Sequence, residues 1–316
     1  GLGDVYKRQL MNNIFSVTDF LREKIKADGG NPHRETLHFI RTFDGNKYFK
    51  DEDGSCFRAY RFVDNSKAYD TVDSAEVFGK SGKAFGRFQK YLSDFPAESL
   101  SEIIKNFHNT IWRYENEFIP AVQADKADRA VNCGEEIKFV MHRREDCKKL
   151  VELIEKGELP LRVTHNDTKL NNVLFDSDSD DAICVIDLDT VMPGLALYDF
   201  GDSIRFGANS CAEDDDNYDK VELMLDYFEA YAKGFLSEAG DALNQCEIDN
   251  LAFSAKLMTF ECGMRFLTDY LNGDTYFKTA YPEHNLVRAK NQFALVADME
   301  TVSYTHLRAH ETSLHL

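Results

Sequence analysis

Three polar residues in the second half of the chain have the types and spacing of a phosphoryl-transfer site. The sequence reads His165-Asn166-Asp167, then Asn172 five residues after the aspartate, and later Ile186-Asp187. This order, H-x-D-x-x-x-x-N followed by I-D, predicts that Asp167 accepts the proton of an attacking hydroxyl. Asn172 and Asp187 are then the candidates that bind the Mg²⁺ of Mg-ATP. Oxygen ligands suit Mg²⁺, which keeps some of its waters and takes other ligands from phosphates.

The two candidate metal ligands flank a predicted β-hairpin. Apolar and β-branched runs cover 172–176 and 182–187, and turn-forming residues separate them. With the turn centred near Ser179-Asp180, Asn172 and Asp187 face each other across the open end. Directly opposed residues lie roughly 4.5–5.5 Å apart, so one cation could reach both side chains. The candidate base lies in the loop before the first strand and can reach the same space.

Three other motifs are not expected to form a site. Asp199-Phe200-Gly201 comes after the hairpin and starts a helix-like run, so Asp199 is expected to cap a helix or support the loop. Gly79-Lys80-Ser81 resembles the end of a P-loop, but Ser74 stands where the first glycine is required. His306 and His310 have the i, i+4 spacing of zinc ligands, but they fall in a tail that is excluded below.

The composition indicates a cytoplasmic enzyme. With 316 residues, 43% of them hydrophobic, the chain can bury a sizeable core. A net charge of −18 argues against nucleic acid as a partner, because phosphate backbones bind basic patches. The seven cysteines form no C-x-x-C pair, which is typical of free thiols in a reducing compartment. No signal peptide and no apolar stretch long enough for a membrane span is visible in the sequence, so neither is expected.

The order of predicted elements indicates an α+β chain. A helix is predicted over about 10–26, followed by three strands over 36–42, 47–50 and 56–63 that read as an antiparallel meander. From residue 64 onward the pattern is mostly helical, with the catalytic loop inside this part. This order predicts a two-lobed plan that binds nucleotide in its cleft.

Both ends of the chain read as foreign to the fold. Residues 1–9 and 302–316 resemble translated sequencing-adapter strings, and they are excluded from fold reasoning. The alternative is that they are ordinary disordered termini. The expected organisation is a partial N-lobe over 10–63 and a C-lobe over 64–301. This organisation implies truncation at the N-terminus.

Longer strings resemble a known family. The chain is similar to the aminoglycoside-phosphotransferase branch of the protein-kinase-like fold, and more closely to the N-acetylhexosamine 1-kinases, also described as mucin-desulfatase-like. The strings that carry the resemblance are residues 161–172, 186–194, 199–207, 265–270 and 273–277. The resemblance implies a protein-kinase-like fold with a small antiparallel N-lobe remnant and a large, mostly helical C-lobe. It also implies ATP and Mg²⁺ as cofactors and a sugar as the substrate.

The resemblance assigns roles to individual residues. It implies Asp167 as the catalytic base, Asn172 and Asp187 as the Mg²⁺ ligands, and Lys169 beside the transferring phosphate. Lys169 could instead be a solvated loop lysine. The remaining implied roles are sugar binding by Thr190, Arg265 and Tyr276, adenine binding by the backbone of a hinge strand with Arg58, Tyr60 and Phe62, and structural support by His165 and Asp199. Without the resemblance, the residues of the sugar-binding set favour a packed helical core with an ordinary buried arginine.

One feature of the family pattern has no counterpart here. A complete member begins with a glycine-rich strand–turn–strand over the phosphates, and no such loop precedes Leu10. Positioning supplies most of phosphoryl-transfer catalysis, so this chain is expected to have weak or no activity although its parent gene encodes an active kinase.

Three functions remain open. The first is ATP-dependent phosphorylation of the anomeric C1 hydroxyl of N-acetylglucosamine or N-acetylgalactosamine. The second is the same chemistry on another small alcohol, such as an aminoglycoside, choline or a different sugar, and the acidic charge would suit a cationic acceptor. The third is a non-catalytic protein that binds sugar or nucleotide. The sequence predicts neither the preferred epimer nor the oligomeric state.

Overall fold

The computed structural model describes residues 2–302, with side chains from residue 5 onward. The strands of this part are β1 Phe39–Ile40, β2 Phe49–Lys50, β3 Cys56–Phe57, β4 Ala59–Tyr60, β5 Ser66–Lys67, β6 Arg162–Thr164, β7 Val173–Asp176, β8 Ala182–Val185 and β9 Met192–Gly194. The helices are α1 Leu2–Ala27, α2 Ala75–Tyr91, α3 Thr110–Arg113, α4 Ile119–Ala124, α5 Gly134–Met141, α6 Lys149–Glu155, α7 Ala196–Gly207, α8 Leu225–Ala239, α9 Gln245–Asp249, α10 Leu251–Asn272 and α11 His284–Thr301.

The chain divides into two compact units, and neither is continuous in sequence. The first unit comprises Gly1–Lys105, Leu161–Asp199 and Glu229–Leu243, and the second comprises Asn106–Pro160, Phe200–Phe228 and Asn244–Leu316. All the strands given above belong to the first unit, so the mixture of helix and sheet is confined to it. The described part of the second unit contains helices and one isolated antiparallel β-bridge, between Asn209 and Leu223.

The first helix is longer than the sequence pattern predicts. The predicted helix over 10–26 lies inside α1, which begins at Leu2. Its apolar positions Ile14, Val17, Leu21 and Ile25 are buried, as their helical spacing predicts. Of the C-terminal tail, residues 303–316 lie outside the described part of the chain, and with them His306 and His310.

The predicted three-strand meander is wrong in its pairing. The third predicted segment is central: its first part, β3, pairs with β2, and its second part, β4, pairs antiparallel with β1. The result is two separate two-stranded sheets. Each strand has only two residues, since turns at Gly45 and Gly54 use most of the intervening chain. Both glycines have positive φ, which a residue without Cβ adopts readily.

Two further sheets lead to the predicted catalytic segment. The order β5-β7-β8 contains the predicted hairpin, with β7 and β8 antiparallel. In the other sheet, β6 pairs with β9, and Val163 lies opposite Pro193. The residues between β6 and β7 and those between β8 and β9 are therefore held at adjacent sheet ends.

Helix α2 packs on the first unit's part of α8 through glycines. A Cβ built on Gly82 would lie 2.5 Å from the carbonyl oxygen of Tyr231, and one on Gly86 or Gly234 would lie closer still to a facing carbonyl. Only glycine permits this approach of two helix backbones. The segment 79–81 is thus helix interior rather than a P-loop, and Ser74 caps the helix by accepting a hydrogen bond from the amide of Val77.

The second unit is built around α10 and α11. Phe293 of α11 stacks on Phe139 at 4.8 Å between ring centroids. Glu261 of α10 is buried, and its carboxylate accepts hydrogen bonds from His108 and from the Thr110 hydroxyl. Burial alone would raise the pKa of Glu261, but the neighbouring His108 and Arg113 hold it below its usual value. No helix in the described part of the chain has the length and hydropathy needed to cross a bilayer.

Substituting Gly82 by alanine tests the glycine contact. Alanine favours helix by about 1 kcal/mol, but here its methyl group meets the carbonyl of Tyr231. We expect Gly82→Ala to lower the free energy of unfolding by about 1–3 kcal/mol, as overpacking does, measured by urea denaturation. The control is Gly134→Ala in α5, where a Cβ has no neighbour within 4 Å and no loss is expected. Equal stability of Gly82→Ala and the parent would contradict the contact.

Candidate active site

The loop that follows β6 is held by a buried aspartate. One oxygen of Asp199 accepts hydrogen bonds from the backbone amide of His165 at 2.9 Å and from the Gln89 side chain at 3.0 Å. The other oxygen accepts from the amide of Asn166 at 2.8 Å, while the Thr168 hydroxyl donates to the backbone carbonyl of Asp199. Burial raises the pKa of Asp199, and the hydrogen bonds that its carboxylate accepts from His165, Asn166 and Gln89 counteract the effect. The buried Asp199 side chain thus fixes the loop from the protein interior and does not project into solvent.

His165 joins this loop to the end of the hairpin. Its Nε2 donates to the carbonyl of Ile186 at 2.7 Å, and its Nδ1 accepts from the amide of Asp167 at 3.3 Å. These partners select the neutral tautomer with the proton on Nε2. The ring is fully buried, with the edges of Phe85 and Phe88 against it.

Two residues of the site have left-handed backbone conformations. Asn166 has φ 66° and Asp187 has φ 57°. Such angles are uncommon outside glycine, although Asn and Asp tolerate them best. Asn166 is compensated by its side chain, which donates to the carbonyl of Thr190 at 2.9 Å. Strain of this kind persists where surrounding contacts determine the conformation, and it is frequent at active sites.

The structure brings Asp167, Lys169 and Asn172 together. The carboxylate of Asp167 pairs with the Lys169 ammonium at 3.0 Å through Oδ1. Its Oδ2 accepts from the Asn172 amide at 3.2 Å, and the same amide donates to the Asp167 carbonyl at 2.8 Å. Asn172 is buried, whereas the Asp167 side chain is 31% exposed. A small molecule can therefore reach the Asp167 carboxylate, and the Asn172 side chain holds that carboxylate in place.

The hairpin register differs by one residue from the prediction. Val173 lies opposite Val185, and the Ile186 amide donates to the Asn172 carbonyl at 2.9 Å. Asn172 thus faces Ile186, and Asp187 lies one residue further. The turn lies one residue earlier than predicted, since Phe175 pairs with Ala182, and this register alone would place Asn172 opposite Val185. The irregularity between Leu174 and Phe175 moves the partner of Asn172 to Ile186.

The hairpin turn is stabilised by Asp176 at the end of β7. Its carboxylate accepts from the amides of Asp178 and Ser179 and pairs with Arg34 at 2.9 Å. The amide of Ser179, Arg34 and the amide of Asp178 lower the pKa of Asp176 to about 2. The turn therefore keeps a charged cap at neutral pH.

The segment after Asp187 is a short 3₁₀ turn, Leu188–Thr190, that is bonded to the loop following β6. The Thr190 hydroxyl donates to the His165 carbonyl at 2.6 Å, so only its lone pairs remain for a ligand. The next residue, Val191, is bonded through its carbonyl to the side chain of Asn13 in α1 at 2.9 Å. Asp189, inside the turn, pairs with Arg58 at 2.5 Å.

The donor set suits a hard cation. The Asn172 amide nitrogen donates to Asp167, which leaves its oxygen as a possible ligand, and Asp187 is exposed. Within residues 2–302, no group of three or more His, Cys, Asp or Glu side chains is arranged to hold a metal ion. A cation here would therefore take most of its ligands from phosphate and water, which is the usual coordination of Mg²⁺.

The predicted hinge residues lie at a junction between two sheets. Tyr60 belongs to β4, Arg58 connects β3 to β4, and Phe62 follows β4. Tyr60 and Phe62 are 49% and 74% exposed. Their exposed rings form an apolar surface in the first unit.

Arg265 and Tyr276 lie in the second unit. The Arg265 guanidinium is 5.8 Å from the centroid of the Tyr276 ring, with Phe107 and Phe277 at 5.2 and 5.5 Å. The loop that bears Tyr276 is held by Asp269, whose carboxylate accepts from the amides of residues 275–277. The structure thus brings these two predicted residues together in one aromatic cluster.

Sequence reasoning missed Asn13, Gln89 and Asn166, which hold the site through hydrogen bonds. Asn13 and Gln89 are polar residues on the buried faces of α1 and α2. That position was a usable signal, because a buried amide must find partners. Asn166 lies between the predicted His and Asp, and its left-handed angle is typical of asparagine.

Comparison with known proteins identifies the family and the fold. A sequence model of the phosphotransferase enzyme family (APH) matches residues 37–234. A microcompartment-associated aminopropanol kinase has a similar structure, with a TM-score of 0.59, 14% identity, and coverage of 96% of this chain and 84% of the other. An aminoglycoside phosphotransferase from Alicyclobacillus acidocaldarius has a TM-score of 0.56 and 14% identity, with coverage of 97% of this chain and 85% of the other. A choline kinase from Cryptosporidium parvum has a TM-score of 0.52 and 13% identity, with coverage of 95% of this chain and 82% of the other. At these identities the likeness shows the protein-kinase-like fold alone.

Asp199→Asn tests the anchor of the loop. The substitution places an amide NH₂ against backbone N–H donors and leaves at least one buried donor without a partner. We expect the free energy of unfolding to fall by about 2–3 kcal/mol, measured by urea denaturation. The matched control is Asp226→Asn, an exposed aspartate in the first turn of α8, where a change within about 0.5 kcal/mol is expected. Equal effects of the two substitutions would contradict the role of Asp199.

Proposed function

We infer, because the chain belongs to the phosphotransferase enzyme family, that it transfers the γ-phosphoryl group of ATP to a hydroxyl of a small molecule. The observation that carries this proposal is the cluster of Asp167, Lys169 and Asn172. It lies beside residues 187–190, which comprise Asp187 and the 3₁₀ turn after it and are called the Asp187 turn below. A reachable carboxylate, a cation and an amide oxygen are the groups that phosphoryl transfer needs.

The proposed mechanism assigns one task to each residue. The acceptor hydroxyl donates a hydrogen bond to Asp167, and its proton passes to that carboxylate as the oxygen bonds to phosphorus and ADP leaves. Lys169 offsets negative charge on the transferring group. Asn172 and Asp187 would hold Mg²⁺, which when bound supplies charge neutralisation at the phosphates. His165 and Asp199 keep the loop in place, and the backbone near Arg58, Tyr60 and Phe62 is proposed to meet adenine.

As the acceptor we propose N-acetylhexosamine, phosphorylated on its anomeric C1 hydroxyl. The support is the resemblance of residues 161–172 and 186–194 to the N-acetylhexosamine 1-kinases. Thr190, Arg265 and Tyr276 are the proposed sugar contacts. Thr190 can accept a hydrogen bond from a sugar hydroxyl, because its own proton is donated to His165. An Arg–aromatic pair such as Arg265 and Tyr276 suits a neutral polar acceptor.

A second candidate is a cationic small alcohol. The net charge of −18 favours it, and so do the names of proteins with a similar fold, an aminopropanol kinase and a choline kinase. If Arg265 contacts the acceptor, it opposes this candidate, because a cation beside a cationic substrate is unfavourable.

Asp167→Asn tests the catalytic base. An amide cannot take up the hydroxyl proton, so we expect kcat to fall by roughly 10²–10⁴-fold, with the KM for ATP nearly unchanged. The control is Asp181→Asn, an exposed aspartate at the hairpin turn. A coupled assay of ADP release gives both constants. Full activity of Asp167→Asn would defeat the assignment.

The acceptor is tested by ³¹P NMR with ATP, Mg²⁺ and each candidate in turn. We expect a phosphomonoester signal coupled to the anomeric proton with N-acetylglucosamine or N-acetylgalactosamine. A signal with choline, aminopropanol or an aminoglycoside alone would establish the second candidate. Unchanged ATP, together with sugar binding detected by saturation-transfer NMR, would indicate a binding protein without catalysis.

A further inference from the structure

The carboxylates in and beside the Asp187 turn differ in their partners. Asp167 pairs with Lys169 at 3.0 Å, and Asp189 pairs with Arg58 at 2.5 Å. Asp187 is exposed and makes no side-chain hydrogen bond or ion pair with any residue of the described part of the chain. Because two of the three charges already have a cation, Asp187 is the carboxylate left to attract another.

Arg58 is held firmly on its own side of the pair. The residues before it pair with β2, and those after it pair with β1, so both sheets fix its backbone. Its guanidinium lies 5.7 Å from the centroid of the Phe39 ring, and its side chain is 29% exposed. An arginine fixed in this way keeps its partner in one position with little further loss of conformational entropy.

Asp189 lies between the two residues whose positions matter most for chemistry. Asp187 precedes it with a left-handed backbone, and Thr190 follows it, bonded to the catalytic loop. Thr190 and Val191 are each fixed by side-chain hydrogen bonds. The ion pair with Arg58 adds a contact at Asp189, which lies between Asp187 and the fixed residues Thr190 and Val191.

We propose that Arg58 is a positioning residue that acts through Asp189. The ion pair holds the Asp187 turn in the conformation that binds the nucleotide-bound cation, and it keeps the Asp189 carboxylate from competing for that cation. This inference rests on the proposed function, in which Asp187 is a cation ligand. It gives the Arg58 side chain a task separate from the proposed contact of its backbone with adenine.

The test uses Mn²⁺ as the probe, titrated against the full chain with ADP present, and free Mn²⁺ is followed by EPR. We expect Arg58→Ala to weaken Mn²⁺ binding by about 10-fold, as loss of a residue that orients a metal ligand typically does. ADP affinity measured without metal should stay within about 2-fold, because the proposed adenine contact is made by the backbone of this strand, which the substitution keeps. Arg58→Lys should restore part of the loss because it keeps the charge.

A double-mutant cycle shows whether Arg58 acts through Asp189. Asp189→Asn should weaken Mn²⁺ binding about as much as Arg58→Ala, and the double variant should be no weaker than either. The control is Lys24→Ala, which removes an exposed pair of the same 2.5 Å length with Asp94 and should leave Mn²⁺ binding unchanged.

Each of the remaining outcomes contradicts either the role of Arg58 or the proposed cation site. Parent-like Mn²⁺ binding by Arg58→Ala, equal weakening of metal-free ADP binding, or additive losses in the double variant would overturn the inference. Weakening by Asp189→Asn alone would mean that Asp189 itself contacts the cation. Asp187→Asn reports on the proposed function: parent-like Mn²⁺ binding by that variant defeats the cation assignment, whatever Arg58 does. Absence of Mn²⁺ binding by the parent chain defeats both.

Discussion

The buried carboxylate of Asp199 is the constraint on which the site depends. It accepts hydrogen bonds from two consecutive backbone amides of the loop that follows β6 and from Gln89 of α2. Carboxylate acceptors form stronger hydrogen bonds than neutral ones, and their strength increases away from water. The direction of the chain at His165 is therefore set before any substrate binds. The same constraint orients the backbone at Asp167, which follows two residues later.

Around this anchor, the loop and the Asp187 turn hold each other. His165 donates to Ile186, Asn166 donates to Thr190, and Thr190 donates back to His165. Reciprocal bonds of this kind compensate two left-handed residues that would each be unfavourable alone. The backbone that carries Asp167 and Asp187, the proposed proton acceptor and the proposed cation ligand, thus has little freedom to relax.

Local sequence patterns predicted the parts of the fold that depend on nearby residues. The buried stripe of α1 and the β7–β8 hairpin both follow from spacing and turn chemistry. The central position of the β3–β4 segment did not follow, because two-residue strands carry almost no periodic signal. The one-residue register error arose from the position of the turn, because the run of turn-forming residues between β7 and β8 is compatible with more than one centre.

For the candidate site, sequence predicted residue types better than partners. The spacing of Asp167, Asn172 and Asp187 carries chemical information by itself, since it repeats the order of a phosphoryl-transfer site. Asn13 and the carbonyl of Val191 are 178 residues apart, and only folding brings them together. The Arg58–Asp189 pair is similar, because many arginines and aspartates could have paired in a chain with 29% charged residues.

The interleaving of the two units has a consequence for how this protein can evolve. The chain crosses from one unit to the other at five points, 105/106, 160/161, 199/200, 228/229 and 243/244. No single gene segment encodes either unit, so recombination cannot exchange one for another while leaving its partner intact. A new acceptor preference would have to arise by point substitution or by loop changes within the chain that contains both units, rather than by domain shuffling.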